Sequence, residues 1–243
     1  MDVVKRSGDV FGIAASPGIA IGKVYIKNNH QVEIEERTIN KSDISDEIDR
    51  LHKALEGVKK QLVEIKNYIS SELGKEKAEI FQAHLMLLED PELIPAMERL
   101  IREKRINAEA AVDEVMSKYV DIFASMEDEY LRGRKSDIQD VGDRIIKILA
   151  GQAREKQQFT DRVVILAKDL TPSDTAQIDK NVVQAFVTEQ GSRTSHTSIM
   201  ARSLGIPAVV GVGESLLKNC SQGDIVIVDG NKGKIIIRPD QEI

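Results

Sequence analysis

Three kinds of hydrophobic spacing succeed one another along the chain. Residues 10–26, V-F-G-I-A-A-S-P-G-I-A-I-G-K-V-Y-I, open glycine-rich, turn at Ser16-Pro17-Gly18, and then place Ile19, Ile21, Val24 and Ile26 as a strand requires. After a polar connector over 27–41 the apolar steps become four and three. Ile44, Ile48, Leu51, Leu55, Val58, Leu62, Ile65 and Ile69 make one long seam with Glu and Lys outside it, which predicts an amphipathic helix. Further helices are predicted over 75–90, closed by Asp90-Pro91, then over 92–104, 108–126 and 137–149. Four or five helices with short joints predict an antiparallel bundle. A polar linker is expected over 151–162. Short strands and short helices follow: a strand at 163–166, a helix opening at Pro172, a strand at 182–187, and two apolar segments, D-I-V-I-V-D-G and G-K-I-I-I-R-P, joined near Gly230-Asn231 as a hairpin or neighbouring strands. Such a mixture buries a sheet against helical layers.

Composition narrows the classes of function. With 243 residues, 41% hydrophobic and 30% charged, the chain holds enough apolar surface for a real core. Its formal charge of −6 gives no reason to expect a nucleic-acid surface, and an acidic protein steers more readily toward a partner with a basic face. The apolar runs are too short to span a bilayer, and the first residues lack a signal peptide's hydrophobic region. A single cysteine, Cys220, excludes an internal disulfide; together these features predict a cytoplasmic protein. Four Tyr, five Phe and no Trp leave little for an aromatic stacking platform.

The chemistry concentrates in residues 189–213, E-Q-G-S-R-T-S-H-T-S-I-M-A-R-S-L-G-I-P-A-V-V-G-V-G. Thr194 and Ser195 can supply an oxygen to the free amides of a first helical turn, with Ile199, Met200 and Leu204 behind them at helical spacing. Gly205 and Pro207 stop that helix, and residues 208–210 form a short strand. His196 therefore lies in the first turn, where unpaired amides and the helix dipole favour an anion over imidazolium. A neutral imidazole has a lone pair to attack phosphorus, but a general base needs the same lone pair, and local spacing alone does not choose between them. Arg193 and Arg202 bracket the histidine and can neutralise phosphate oxygens, Arg193 from the open side. His30, His52 and His84 lie in other segments, so the pattern does not point to zinc.

G-S-R-T-S-H-T-S-I-M-A-R-S-L-G-I-P-A-V-V-G closely resembles the phosphohistidine signature of enzyme I of the bacterial sugar phosphotransferase system, the phosphoenolpyruvate-protein phosphotransferases. The upstream D-L-T-P-S-D-T-A-Q, residues 169–177, resembles that family's second signature. The resemblance runs from Gly12 to about Pro239. It implies that His196 is the phosphorylated residue and that Thr175 lies beside its ring; Arg193, Ser195 and the helix amides are then the candidate groups around the phosphoryl oxygens. Asp169 is a further residue expected near His196, and the plainer reading of residues 169–172 is a helix cap; Asp229 is expected in a turn. The implied fold is a swivelling α/β phosphohistidine domain, residues 1–30 and 152–243, with an all-α helical-bundle domain, residues 40–150, inserted to receive the phosphocarrier HPr.

On the bundle, His84, Glu76, Glu89, Asp90 and Arg134 match or neighbour the family's carrier-binding surface, an acidic neighbourhood suited to a basic carrier. Helical spacing puts His84 at the border between core and solvent, bonded to water. The chain departs from common family members at Ser192, where glycine is usual, and at Gly133 and Gln139, the latter standing where arginine is often found. The resemblance assigns Mg²⁺ and phosphoenolpyruvate to a C-terminal barrel that also makes the dimer. No metal or cofactor is therefore expected in this chain, which is expected to be a monomeric N-terminal part able to exchange phosphate with HPr only. A regulatory phosphorelay, and the related domain of pyruvate phosphate dikinase or phosphoenolpyruvate synthase, are the rival readings; the latter enzymes typically carry cysteine where this chain has Ser195.

Overall fold

A computed structural model describes residues 8–27, 34–152, 161–176 and 178–239. Most of the expected linker, the histidine at position 30 and the last residue of the 169–177 motif fall outside them. The chain divides into two compact units, one of residues 1–29 with 157–243 and one of residues 30–156.

The helical unit contains α1 (Ile44–Leu73), α2 (Lys75–Leu88), α3 (Leu93–Lys104), α4 (Ala108–Ala124), α5 (Glu129–Gly133) and α6 (Lys135–Leu149). The expected seam of α1 is its buried face: Ile48, Leu51, Leu55, Val58, Leu62, Ile65 and Ile69 are all in the core. Each such side chain contributes roughly 1.5–3 kcal/mol relative to exposure. The short α5 adds to the expected helices. The Asp128 carboxylate caps it by accepting from the Leu131 amide at 3.0 Å, which starts a new helix where spacing alone suggested only a joint.

A polar knot closes one end of this unit. Arg50 donates to Glu109 at 2.8 Å, to Glu47 at 2.6 Å and to the carbonyl of Leu149 at 3.0 Å, while Asn107 donates to Glu109 at 2.9 Å. Burial works against the Glu109 carboxylate, yet the Arg50 hydrogen bonds, its own amide, the Arg50 charge and Asn107 outweigh it and hold the group below the ordinary value of 4.5. A carboxyl depressed in the folded state stabilises fully above its unfolded value and loses that contribution as pH falls through the folded one. Glu109→Gln is expected to cost about 2–3 kcal/mol at pH 7. It should also flatten the decline in stability below about pH 4.5, both read from urea unfolding across pH.

The α/β unit has β1 (Gly8–Phe11), β2 (Ile13–Ser16), β3 (Ile19–Lys27), β4 (Val163–Ala167), α7 (Pro172–Thr175), β5 (Val183–Thr188), α8 (His196–Leu204), β6 (Ala208–Val210), α9 (Ser215–Asn219), β7 (Ile225–Asp229) and β8 (Lys234–Ile237). They form one eight-stranded sheet in the order β1-β8-β7-β3-β4-β5-β6-β2. Strands β3 to β6 run parallel to one another, and β7 and β8 make the expected antiparallel hairpin. Alternate residues of β4 serve two cores, as a two-residue strand period demands. Val164 and Leu166 join Val187, Val209, Val226 and Ile235, whereas Val163 and Ile165 join Phe186, Ala201 and Ile206.

The N-terminal segment makes three strands where one was expected. β1 and β2 are separated by Gly12 alone yet stand at opposite ends of the strand order, so the sheet curls until its ends meet. Gly12 donates its amide to the carbonyl of Gly233 at 2.9 Å across that closure. Strands of four residues flanking a glycine are hard to read locally because their pairing partners, β8 and β6, lie some two hundred residues away.

Candidate functional site

His196 is the first residue of α8, as expected, and is partly exposed. Ser195 is the N-cap, with extended dihedral angles and a side-chain oxygen that accepts from the Ser198 amide at 3.4 Å. The carbonyl of Ser192 collects the Ser195 hydroxyl at 2.9 Å and the Ser198 hydroxyl at 2.6 Å, which folds the loop back on the helix start. Ser192 adds two bonds that glycine lacks, since its hydroxyl accepts from the Thr194 amide at 3.3 Å and shares a hydrogen bond with the Thr194 hydroxyl at 3.0 Å. At the other end Gly205, with φ of 68°, ends the helix in the left-handed conformation.

Two further elements fix this turn from below. Thr171 caps α7 in a reciprocal box with Asp174, so the segment 169–172 does supply a helix cap, through its threonine. Asp169 accepts from the Leu170 amide at 2.8 Å. The buried Thr197 hydroxyl donates to the carbonyl of Leu170 at 3.1 Å, tying α8 to the loop that leads into α7. Spacing gave no sign of this bond, which joins positions 27 apart. Thr175 is buried, and its hydroxyl donates to the carbonyl of Pro172 at 3.0 Å within its own helix, which packs against α8.

Arg193 is exposed on the loop and has no acidic partner among the described residues. Arg202 is engaged differently: its guanidinium donates to the carbonyls of Ala15 at 2.8 Å and Arg193 at 3.1 Å. Both arginines, with Ala14, Ser16 and Asn231, border an open hollow of about 550 Å³. Asp229 is not a turn residue as expected but the last residue of β7, paired with Lys234 of β8, and it accepts from the amides of Asn231 at 3.0 Å and Lys232 at 3.1 Å in the turn that follows. Burial opposes its ionisation, but those amides, the Asn231 side chain and the Lys232 charge hold it below the usual range.

The helical unit's candidate residues separate into exposed and buried. Glu76 and Glu89 are exposed, Glu89 paired with Lys59 at 2.6 Å, and Asp90 accepts from the Glu92 amide at 2.8 Å. Arg134 donates to Asp137 at 2.9 Å, and Gln139 is exposed. His84 is not a water-bonded border residue: it is 1% exposed. Its ring meets Phe81 edge to face at 5.7 Å, and its nitrogens stand 3.7 Å from Asp137 and 3.8 Å from Asp140. The reason is α6, which lays Asp137, Asp140 and Arg144 as a buried polar stripe over that border. Their spacing of three and four was the available signal. His84→Ala is therefore expected to cost about 2–4 kcal/mol in denaturant unfolding, as a buried truncation does, against under 0.5 kcal/mol for a surface histidine.

Among the described residues no group of His, Cys, Asp or Glu could hold a metal ion, and no helix is long and apolar enough to cross a membrane.

Comparison with known proteins shows the family to which the chain belongs. Residues 11–134 match the family described as PEP-utilising enzyme, N-terminal, and residues 159–233 that described as PEP-utilising enzyme, mobile domain. The phosphoenolpyruvate-protein phosphotransferase of Geobacillus stearothermophilus is 44% identical over 98% of the chain, and that of Priestia megaterium 43% over 96%. The chain spans 41% and 40% of the length of these two relatives. An NMR solution structure of Enzyme I is similar with a TM-score of 0.75 and 46% identity, covering 96% of this chain and 94% of that one. A structure of the N-terminal domain of Enzyme 1 Nitrogen has a TM-score of 0.65 at 26% identity, covering 95% and 94%. Two family matches that divide the chain, and a solved structure alike over nearly the whole of both chains, place it in the enzyme I family of PEP-utilising enzymes, as the N-terminal domain.

Proposed function

We propose that His196 accepts a phosphoryl group and exchanges it reversibly with the histidine of a small phosphocarrier such as HPr. The observation that carries this is the place of the ring: partly exposed at the first position of a capped helix, behind a loop bearing an exposed arginine. In the transfer the lone pair of a His196 ring nitrogen forms a bond to phosphorus as the bond from phosphorus to the carrier's imidazole nitrogen breaks. The carrier nitrogen takes back its electron pair, and no proton need be gained or lost by water. Negative charge spread over the three equatorial oxygens needs donors and cations in place beforehand. Arg193 and the first-turn amides of α8 are proposed for that role. Ser195 shapes the turn, and Thr175 supports the ring through the packing of α7 on α8.

The helical unit is proposed to dock the carrier. Exposed Met86 on α2 and Leu131 on α5 offer apolar anchors on the elements that carry or border Glu89 and Arg134, with the carboxylates facing a basic partner. His84 serves that surface from beneath, by packing. In the relatives' full length, phosphoenolpyruvate with Mg²⁺ is the proposed source of the phosphoryl group, bound outside the segment represented by this chain. Service of sugar uptake, and dimerisation through that further segment, belong to the same proposal. Phosphorus NMR of the chain mixed with phosphorylated HPr tests the exchange. A new phosphoramidate signal from the chain, lost in acid, is expected; an unchanged HPr signal with folded chain present overturns it.

A further inference from the structure

We infer that Arg202 is a positioning residue for this transfer: it pins the loop carrying Arg193 to strand β2 and so fixes where the Arg193 side chain meets the transferring group. The inference rests on the reading of His196 as acceptor.

Arg202 lies in the last turn of α8, where a cation is favoured by the helix dipole and is most often simply solvated. Its guanidinium instead spans two backbone carbonyls. One Nη donates to Ala15 in β2, 187 positions away, and the other to Arg193, nine positions away. Among the described residues the other side-chain bonds of that loop are local. Ser192 bonds Thr194, Ser195 and Ser198, which shapes the loop against the start of α8 but joins its middle to no strand. Through Arg202 the carbonyl of Arg193 is held to the sheet.

The β2 end of this bridge is itself rigid. Ser16 pairs with Ala208 of β6, the carbonyl of Gly18 accepts from the Gly230 amide at 2.8 Å, and the Gly18 amide donates to Asn231 at 3.2 Å. The hollow is thus lined both by this braced strand and turn and by the two arginines. A long side chain on a loop that begins at Gly191, φ 117°, needs such a tether to present its charge in one place. A flat, five-donor guanidinium suits the task of spanning two carbonyls, which a lysine ammonium, a point charge on a flexible stem, does not do with the same geometry.

The test compares the parent chain with Arg202→Met and Arg202→Lys in single-turnover transfer from phosphorylated HPr, together with backbone amide NMR of each. Both variants are expected to transfer about 10–100-fold more slowly, the scale of a misplacement near 1 Å. The concentration of phospho-HPr giving half the maximal rate should stay within about twofold, since Arg202 holds the loop and not the carrier. Amide signals of residues 191–195 should shift while those of α1 to α6 do not. A parental rate in both variants overturns the inference, as does a loss confined to the half-saturating concentration. Full rate in Arg202→Lys with loss in Arg202→Met also overturns it, because a single charge would then suffice. Should Arg202→Met fail to fold, the lysine variant decides alone. A parent that accepts no phosphate refutes the reading of His196 instead; unshifted loop amides in Arg202→Lys would still overturn the tether.

Discussion

Gly230→Ala is expected to lower the stability of the α/β unit by roughly 4 kcal/mol or more, among the largest effects a single methyl group produces. A Cβ at this position falls 2.0 Å from the carbonyl oxygen of Ser16, and 3.2 Å from the amide nitrogen of Ala208. Both are backbone atoms, so no side chain can rotate aside. Ser16 and Ala208 are partners in the β2–β6 ladder, and the Gly230 amide is bonded to Gly18, so relief requires opening the sheet where its two ends close. Overpacking that flexible neighbours absorb costs typically about 1–3 kcal/mol; a rigid backbone neighbour puts this site above that range. Lys232→Ala, exposed in the same turn, is the control and should cost under about 0.5 kcal/mol. Urea unfolding followed by circular dichroism gives both values. Equal stability of the two variants would mean that the hairpin turn is not braced against β2.

The same closure explains what could and could not be read from residue order. The α1 seam was legible because a helix carries its period in its own sequence, and every later step of four or three along it falls on a buried side chain. The start of α8 was legible for a similar reason: its cap, its histidine and its terminating glycine are neighbours in the chain. β1 and β2 were not, because a four-residue strand next to a glycine is specified by partners such as Ile237 and Val210. His84 was misplaced although α6 was expected, because nothing in residue order says that the polar stripe of α6 packs over it and turns a helix border into an interior. The work of Thr197 and Arg202 was hidden too, since each acts on a carbonyl elsewhere in the fold. The candidate ring was thus visible in sequence, while much of what holds it in place was not.

Replacing His196 with glutamine is expected to abolish phosphoryl acceptance, by at least roughly four orders of magnitude, because it removes the nucleophilic nitrogen itself. Glutamine is a good helix former, and the position is partly exposed at the helix start, so stability should change by less than about 0.5 kcal/mol. The Ser195 cap and the Thr197 bond to Leu170 do not involve the imidazole and should persist. Loss of transfer with a parental unfolding curve therefore separates chemistry from folding. An amide cannot stand in for the ring, since its nitrogen has no available lone pair for phosphorus.

The most direct measurement is transfer of isotopic label from phosphorylated HPr to the parent chain and to His196→Gln, side by side, with the stability of the label followed in acid and in base. Label on the parent that survives base, is lost in acid and is absent from the variant is the expected result. Equal label on the variant, or none on a folded parent beside an active phospho-HPr control, contradicts His196 as the acceptor from this carrier.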